Sequence, residues 1–289
     1  MAERFKVKQE TQLLEFLFAS LHGWSKKKIK QRLQSASVAI NGTVTTQFNA
    51  PLVIDDIVEV GVIVKHSSLA SLNTLTILYQ DKDIIAIDKP AGLLSVGTTQ
   101  ETKQHALTIL RNQLSKGRKK IQLFPVHRLD RDTSGILLFA TSKETREAIM
   151  SKWASSKKIY LAIVQGQPTK EHDTIDQGLR LDDKIYKMHV GDHPHAKPAI
   201  THYQVKEKKE STSLLEVSIE TGRQHQIRAH MSWLGHAVVG DERYGTDKNY
   251  KKGDRMGLHA YKLTIYHPRK KKFISFETDA PREFYQLLK

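Results

Sequence analysis

The segment His127-Arg128-Leu129-Asp130-Arg131-Asp132-Thr133-Ser134-Gly135 sets two carboxylates among His127, Arg128 and Arg131, just ahead of the apolar run GILLFA. A turn at a strand end presents side chains to a cleft, where an aspartate fixed by arginine could act as nucleophile or base. Local chemistry leaves a second account open: a turn closed by side-chain hydrogen bonds, with Asp132 and Thr133 as helpers. A second polar segment is ETGRQHQIRAHM. Its Thr221 and Gln224 have capping-box spacing, which predicts a helix beginning near Gly222. Ile227, Met231 and Leu234 would form its buried stripe. Arg223 and Arg228 near that N-terminus predict an anion site for phosphate or carboxylate. An exposed basic helix is the plainer account, but Arg228 falls beside the apolar stripe, where a guanidinium without a partner is costly. The third segment is KIYLAIVQG, whose Tyr160 either fills core or stacks its ring on a base.

Several other chemistries lack their residues. The chain has no cysteine, which excludes disulfides, thiolate metal sites and cysteine nucleophiles. His225, His230 and His236 lack the i,i+4 pairing of a helical zinc site, and Gly191 and Pro194 interrupt the run His189, His193, His195. No glycine-rich phosphate loop and no G-x-S-x-G elbow is present. No cofactor and no metal are therefore expected.

The elements that must position these residues can be read in outline. The 289 residues carry a formal net charge of +15, which favours a polyanionic partner such as nucleic acid. Residues 1–66 predict a small basic α+β module. In it Thr11 caps a first helix and Ser25 a second, SKKKIKQRLQ. Lys26, Lys27, Lys28, Lys30 and Arg32 crowd the outer face of the second helix, and VAINGTVTT follows as a hairpin turning at Asn41-Gly42. Residues 67–75 read as a linker, and 76–289 as a second body. There LTILYQ, IIAIDKPAG, GILLFATS, KIYLAIVQG and TSLLEVSIE are strands. Thr141 and Glu144 predict a capping box that starts a helix from Lys143 to Ala154. Arg269 to Lys272 read as a solvated hairpin turn. Strands outnumber helices and only partly alternate with them, so the fold class is α+β with a mixed, mainly antiparallel sheet flanked by helices. The charged N-terminus has no signal-like apolar core and no stretch is long enough to span a bilayer, so a cytoplasmic, monomeric protein without membrane contact is expected.

Together these segments resemble the RluA-type family of pseudouridine synthases. VHRLDRDTSGILLFA is similar to that family's catalytic motif and ETGRQHQIRAHMSWLGHAVVGDERYG to its C-terminal motif. DIIAIDKPAGLLSV and KIYLAIVQG match two further segments in order, over roughly residues 75–289. The basic helix and VAINGTV hairpin resemble an S4-like RNA-binding domain. The resemblance implies an isomerase that converts uridine in structured RNA to pseudouridine after flipping the nucleotide out. Ribosomal RNA of the large subunit is the first expectation and transfer RNA the alternative. Asp130 would be the catalytic aspartate and Arg228 the arginine that pairs with it. Tyr160 would contact the target base, and Arg128 would enter the space the flipped nucleotide leaves. One stretch departs from the family pattern: Ala196-Lys197-Pro198-Ala199-Ile200-Thr201 stands where a Gly-Lys pair is common, which bears on loop geometry. Two rivals remain at this level: a non-catalytic RNA-binding assembly factor on the same fold, and a nucleic-acid hydrolase using Asp130 and Asp132 as metal ligands.

Overall fold

The structure is a computed structural model. It describes residues 3–34, 38–45, 47–61, 74–98, 104–115, 121–245 and 254–289. The chain divides into two compact units, Met1–Ser71 and Leu72–Lys289. Most of the expected linker lies outside the described residues.

The first unit runs β1 (Glu3–Lys6), β2 (Thr11–Gln12), α1 (Leu13–Ser20), α2 (Lys26–Gln34), β3 (Val38–Ile40), β4 (Thr43–Val44), β5 (Pro51–Leu52) and β6 (Ile57–Val60). Its main sheet has the order β1-β6-β3-β4. Leu13, Leu17, Ile29, Leu33, Val38 and Val58 form the buried core. Each such side chain contributes roughly 1.5–3 kcal/mol by leaving water. Asn41 and Gly42 both take positive φ, 49° and 78°, as the two central residues of a tight hairpin turn require. Ser25 does cap α2, its Oγ accepting from the Lys28 amide at 3.2 Å. Thr11 does not cap α1. It pairs with Leu52 as part of β2, and Gln12 takes the cap position without a side-chain bond.

The second unit runs β7 (Thr76–Gln80), β8 (Ile84–Lys89), α3 (Ala106–Ser115), β9 (Phe124–Pro125), β10 (Ser134–Ala140), α4 (Lys143–Met150), β11 (Lys157–Gln165), β12 (His172–Asp176), β13 (Leu179–Asp182) and β14 (Lys187–Val190). It continues with β15 (Ile200–Lys208), β16 (Thr212–Ile219), α5 (Gln226–Trp233), β17 (Leu258–His267), β18 (Lys272–Glu277) and α6 (Arg282–Tyr285). The main sheet has the order β12-β15-β16-β11-β17-β10-β8-β7, with β18 on β17 and β9 on β10. Its pairs are antiparallel except β10 with β17, so the α+β mixed sheet stands. All seven residues of β10 are buried, which is why its sequence shows an unbroken apolar run instead of alternation. Ala162, Val164, Leu215 and Val217 of the sheet pack against Ile227 and Met231 of α5.

The start of α4 also differs from the sequence reading. The cap of α4 is Ser142, whose Oγ accepts from the Thr145 amide at 3.1 Å. The Thr141 hydroxyl is already used, donating to the carbonyls of Lys82 and Asp83. That helix ends at Met150, and a separate 3-10 turn covers Trp153–Ser155. The Arg269–Lys272 segment is the β17–β18 turn, but it is not merely solvated. Arg269 holds Asp83 with two bonds, 2.6 and 2.7 Å, and Lys270 lies 3.4 Å from Asp81.

Candidate active site

Asp130 lies in the loop that enters β10. Two neighbours fix that loop. Ser95 Oγ accepts from the Leu129 amide at 2.9 Å and donates to the Leu129 carbonyl at 2.8 Å. The Lys89 ammonium, fully buried, donates to the carbonyls of Pro90, Leu93 and Arg131 at 2.9, 2.7 and 3.0 Å. Burial pulls its pKa down to about 7, against the attraction of Asp132 and Asp130. Lys89 and Ser95 thus clamp the backbone on both sides of the carboxylate.

Gly135 lets β10 come close to β17. A Cβ added there would sit 2.3 Å from the Ala260 carbonyl oxygen, and its φ is +107°. The entry is tied further by Arg255 Nη2, which donates to Ser134 Oγ at 2.6 Å. His259 Nε2 meets the Thr278 carbonyl and so carries the proton; its Nδ1 therefore accepts from Ser134 at 2.7 Å.

Arg228 stands on α5, 98 residues further along, and links two carboxylates. Nη1 donates to Asp130 Oδ2 at 2.9 Å. Nε and Nη2 donate to Asp241 at 2.6 and 2.8 Å, a bidentate grip. Asp241 also accepts from the amides of Arg243 and Tyr244 at 2.9 and 3.0 Å. Burial opposes ionisation of Asp241, but the Arg228 guanidinium and these amides outweigh it and hold its pKa low. Burial likewise disfavours the charged guanidinium, and the two carboxylates more than restore it. The anion site expected at Arg228 is therefore filled from within the chain.

The helix itself starts four residues later than the capping box implied. His225 adopts a left-handed φ of 51° and α5 begins at Gln226. The Gln226 side chain explains the turn. Its Oε1 accepts from Thr221 Oγ1 and the Arg223 amide, while Nε2 donates to the Ile200 carbonyl and Thr201 Oγ1. Arg223 donates to the Pro198 carbonyl at 3.0 Å. The departing stretch is thus ordered, with Lys197 and Leu179 exchanging backbone bonds at 2.9 Å.

His225 faces Asp130, Nε2 to Oδ2 4.0 Å. The Tyr244 hydroxyl accepts from the Met188 amide, which leaves its own proton for His225 Nδ1 at 3.0 Å. The His225 proton then sits on Nε2, toward the carboxylate. Burial keeps this ring neutral by lowering its pKa, against the pull of Asp130.

A cleft of about 460 Å³ is lined by Arg128, Asp130, Tyr160, His225, Arg228 and Leu258, among others. Tyr160 lies at a register shift between β11 and β17, where a bulge re-aims a side chain. Burial and the Asp130 charge raise its pKa, so it is a neutral phenol. Arg128 is exposed at the cleft. The structure thus brings Asp130, Arg128, Tyr160 and Arg228 to one cleft. Lys26, Lys27, Lys28 and Lys30 belong to the first unit and are exposed on α2. Lys28 lies 3.9 Å from the centre of the Trp24 ring, and Arg32 also faces that ring.

Sequence reasoning missed Asp241, Tyr244, Ser95 and the clamp by Lys89. Asp241 was visible in principle, because a mid-helix arginine beside an apolar stripe demands a buried acid. Asp132, by contrast, is exposed and does not join Asp130 around a third ligand among the described residues. The one convergence of metal-ligand types among them, Asp81, Asp83 and His267, is engaged by Arg269, Lys270 and Tyr79.

A loop-borne aspartate fixed by an arginine beside a neutral tyrosine, on a mixed sheet, defines a class also met in known proteins. Residues 83–233 match the family model described as RNA pseudouridylate synthase. The chain belongs to that family and is an isomerase that converts uridine in RNA to pseudouridine. It is 30% identical over 95% of its length, and 92% of the relative's, to the uncharacterized RNA pseudouridine synthase YlyB of Bacillus subtilis. It is 36% identical to tRNA pseudouridine synthase C of Vibrio vulnificus, over 74% of this chain and 94% of that one. Ribosomal large subunit pseudouridine synthase D of Yersinia pestis is 28% identical over 92% of this chain and 86% of its own. Among solved structures, human RNA pseudouridylate synthase domain containing 1 superposes with a TM-score of 0.61 at 27% identity, over 73% of this chain and 85% of that one. No helix among the described residues is long and apolar enough to cross a membrane.

Proposed function

We propose that this enzyme isomerises uridines of large-subunit ribosomal RNA, with Asp130 as its catalytic carboxylate. One observation carries the assignment: Arg228 engages Asp130 through Oδ2 alone, at 2.9 Å, inside the cleft. Oδ1 has no hydrogen-bond partner among the described residues, so it is the atom free to attack or to take a proton. Arg228 shares its charge between two acids. It orients Asp130 without quenching it, because its two shorter bonds go to Asp241.

The reaction breaks the N1–C1′ bond, turns the uracil and joins C5 to C1′; the C5 proton leaves to solvent and N1 takes up a proton, so no atom is gained or lost. A stacked uridine cannot be reached, so the nucleotide is flipped into the cleft. Tyr160 offers an aromatic ring for the freed base, and Arg128, exposed at the cleft, is placed to fill the gap left in the RNA. The first unit, with its lysine-rich α2 and Asn-Gly hairpin, is read as an S4-like RNA-binding domain spanning residues 1–66. One relative named for the large ribosomal subunit aligns over 92% of this chain, and another over 74%. The one named for transfer RNA uses 94% of its own length on 74% of this chain. The 92% alignment that includes the first unit favours ribosomal RNA, with transfer RNA as the alternative substrate. A monomer working in the cytoplasm fits this reading. Asp130→Asn should abolish tritium release from [5-³H]uridine-labelled RNA while keeping RNA affinity. Full activity in that variant overturns the assignment. Mapping pseudouridines in RNA from cells lacking the gene tests the substrate: a missing ribosomal position supports it, and a missing transfer-RNA position replaces it.

A further inference from the structure

The β13–β14 hairpin has no part in the chemistry above, yet its tip carries two adjacent, large apolar side chains. Ile185 is 57% exposed and Tyr186 is 53% exposed. Scattered exposed apolar residues are ordinary. This pair is different because its backbone is held in place. Asp182 Oδ1 accepts from the amides of Lys184 and Ile185 at 3.0 and 3.4 Å. Arg243 Nη1 donates to the carbonyls of Ile185 and Tyr186 at 2.8 and 2.5 Å. Tyr186 itself sits at φ 52°, a left-handed conformation that a bulky residue keeps only where its surroundings impose it. The tip is therefore preformed although neither side chain belongs to a core cluster.

Its position ties it to the cleft. The Tyr186 ring meets His225 edge-on with centroids 6.3 Å apart, and His225 lines the cleft beside Asp130. The Arg243 guanidinium lies 5.7 Å from the centre of the Tyr186 ring. The same residue's amide bonds Asp241, which grips Arg228, which holds Asp130. Arg243, Arg223 and Arg128 are all exposed in this region, as suits a phosphate backbone passing over it.

We propose that Ile185 and Tyr186 form a stacking platform for an unpaired base of the substrate RNA beside the flipped uridine. Flipping a nucleotide strips its neighbours of a stacking partner. A rigid, half-exposed tyrosine backed by a guanidinium replaces that partner at little entropic cost. Base stacking on an aromatic ring tolerates any base, so the platform adds affinity and not chemistry.

The full chain tests this through initial rates of tritium release from [5-³H]uridine-labelled RNA of cells lacking the gene, measured against RNA concentration. Tyr186→Ala should raise KM about tenfold, the loss expected for one base stack, with kcat within about twofold of the parent. Tyr186→Phe should behave as the parent. The salt dependence of KM should keep its slope in Tyr186→Ala, since the variant neutralises as many phosphates as the parent. An unchanged KM, a Phe variant as impaired as the Ala variant, or a fall in kcat alone overturns the proposal. If Tyr186→Ala lowers Tm, Ile185→Ser decides by the same KM criterion.

Discussion

Arg228 holds two carboxylates, and removing the charge of each should have opposite consequences. Asp130 receives one hydrogen bond from the guanidinium and its side chain is 28% exposed. Asp241 receives two, its side chain is 0% exposed, and two backbone amides also bond to it. Breaking a buried pair by removing one partner costs about 3–5 kcal/mol, whereas a solvent-reached pair contributes about 0–1 kcal/mol. For a unit of this size each kcal/mol moves Tm by about 2–4 °C. Asp241→Asn should therefore lower Tm by about 6–20 °C, and Asp130→Asn by less than about 4 °C. The order reverses in activity. Asp130→Asn should reduce tritium release by about a thousandfold or more. Asp241→Asn should lower kcat by about ten- to a hundredfold through a looser Arg228. The stability difference has a pH signature. Burial is outweighed by the guanidinium and amides, so the folded Asp241 pKa is depressed. The stability it confers is complete above the unfolded aspartate value of about 3.9 and is lost as pH falls through the folded value. Melting both variants by circular dichroism at pH 7 and at pH 3 reads the stability terms, and tritium release at pH 7 reads the activities. An Asp241→Asn protein that melts within about 2 °C of the parent at pH 7 would show that Arg228 does not depend on its buried partner.

Burial lowers His127 to about 4, helped by Lys158, and lowers His259 to about 4 as well. The unfolded chain then binds more protons between about pH 4 and 6.5, so stability should drop as pH drops, by up to about 1.4 kcal/mol per unit for each ring. Urea melts at pH 7, 6 and 5 check this, and His127→Phe, which keeps the stack on Trp153, should make the slope shallower, the other buried rings still contributing. Equal stability at all three values would sink the argument. Gly135→Ala puts a Cβ 2.3 Å from the Ala260 oxygen at φ +107° and should cost about 3 kcal/mol or more, visible as a depressed Tm. A Tm within about 2 °C of the parent would mean that β10 and β17 can part there without penalty. Replacing Lys26, Lys27, Lys28 and Lys30 with Gln should flatten the salt dependence of RNA binding, by about 0.7–0.9 in slope for each phosphate no longer neutralised, and leave kcat alone. An unaltered slope would remove α2 from the RNA interface.

How much of this was legible in the sequence depended on whether a residue's partners were local. The Asn41-Gly42 hairpin and the Ser25 cap are contained within a few residues, and both formed as read. The pairing of Asp130 with Arg228 spans 98 residues and was read only through the ordered motifs. The Arg228 position did carry one physical hint, a cation beside an apolar stripe, but it could not say that two acids would answer it. The helix starts failed for a common reason. A capping box needs free hydroxyls and amides, and tertiary contacts had claimed them. Thr141 is bound to Lys82 and Asp83, and Thr221 accepts from the Ile200 amide while donating to Gln226. Nothing in the spacing of RQHQIR announces that His225 turns left-handed. Yet that turn is what delays α5 and brings the imidazole to the carboxylate.

The placement of the site follows from the parallel pair in the sheet. Because β10 and β17 run the same way, their starting ends meet, Ser134 of β10 beside His259, the second residue of β17. The Asp130 loop must enter the sheet at that junction. There Arg255, Ser134 and His259 form a hydrogen-bonded row. Leu258 lies one residue before it and Tyr160 on the adjoining β11, and both line the cleft. An antiparallel β10–β17 pair would have put the start of β10 against the far end of β17, near His267, away from Leu258. The close approach at Gly135 is thus a condition for the cleft as well as for the core. Loosening it should separate Asp130 from Tyr160 before it disturbs Arg228, which Asp241 still holds on α5.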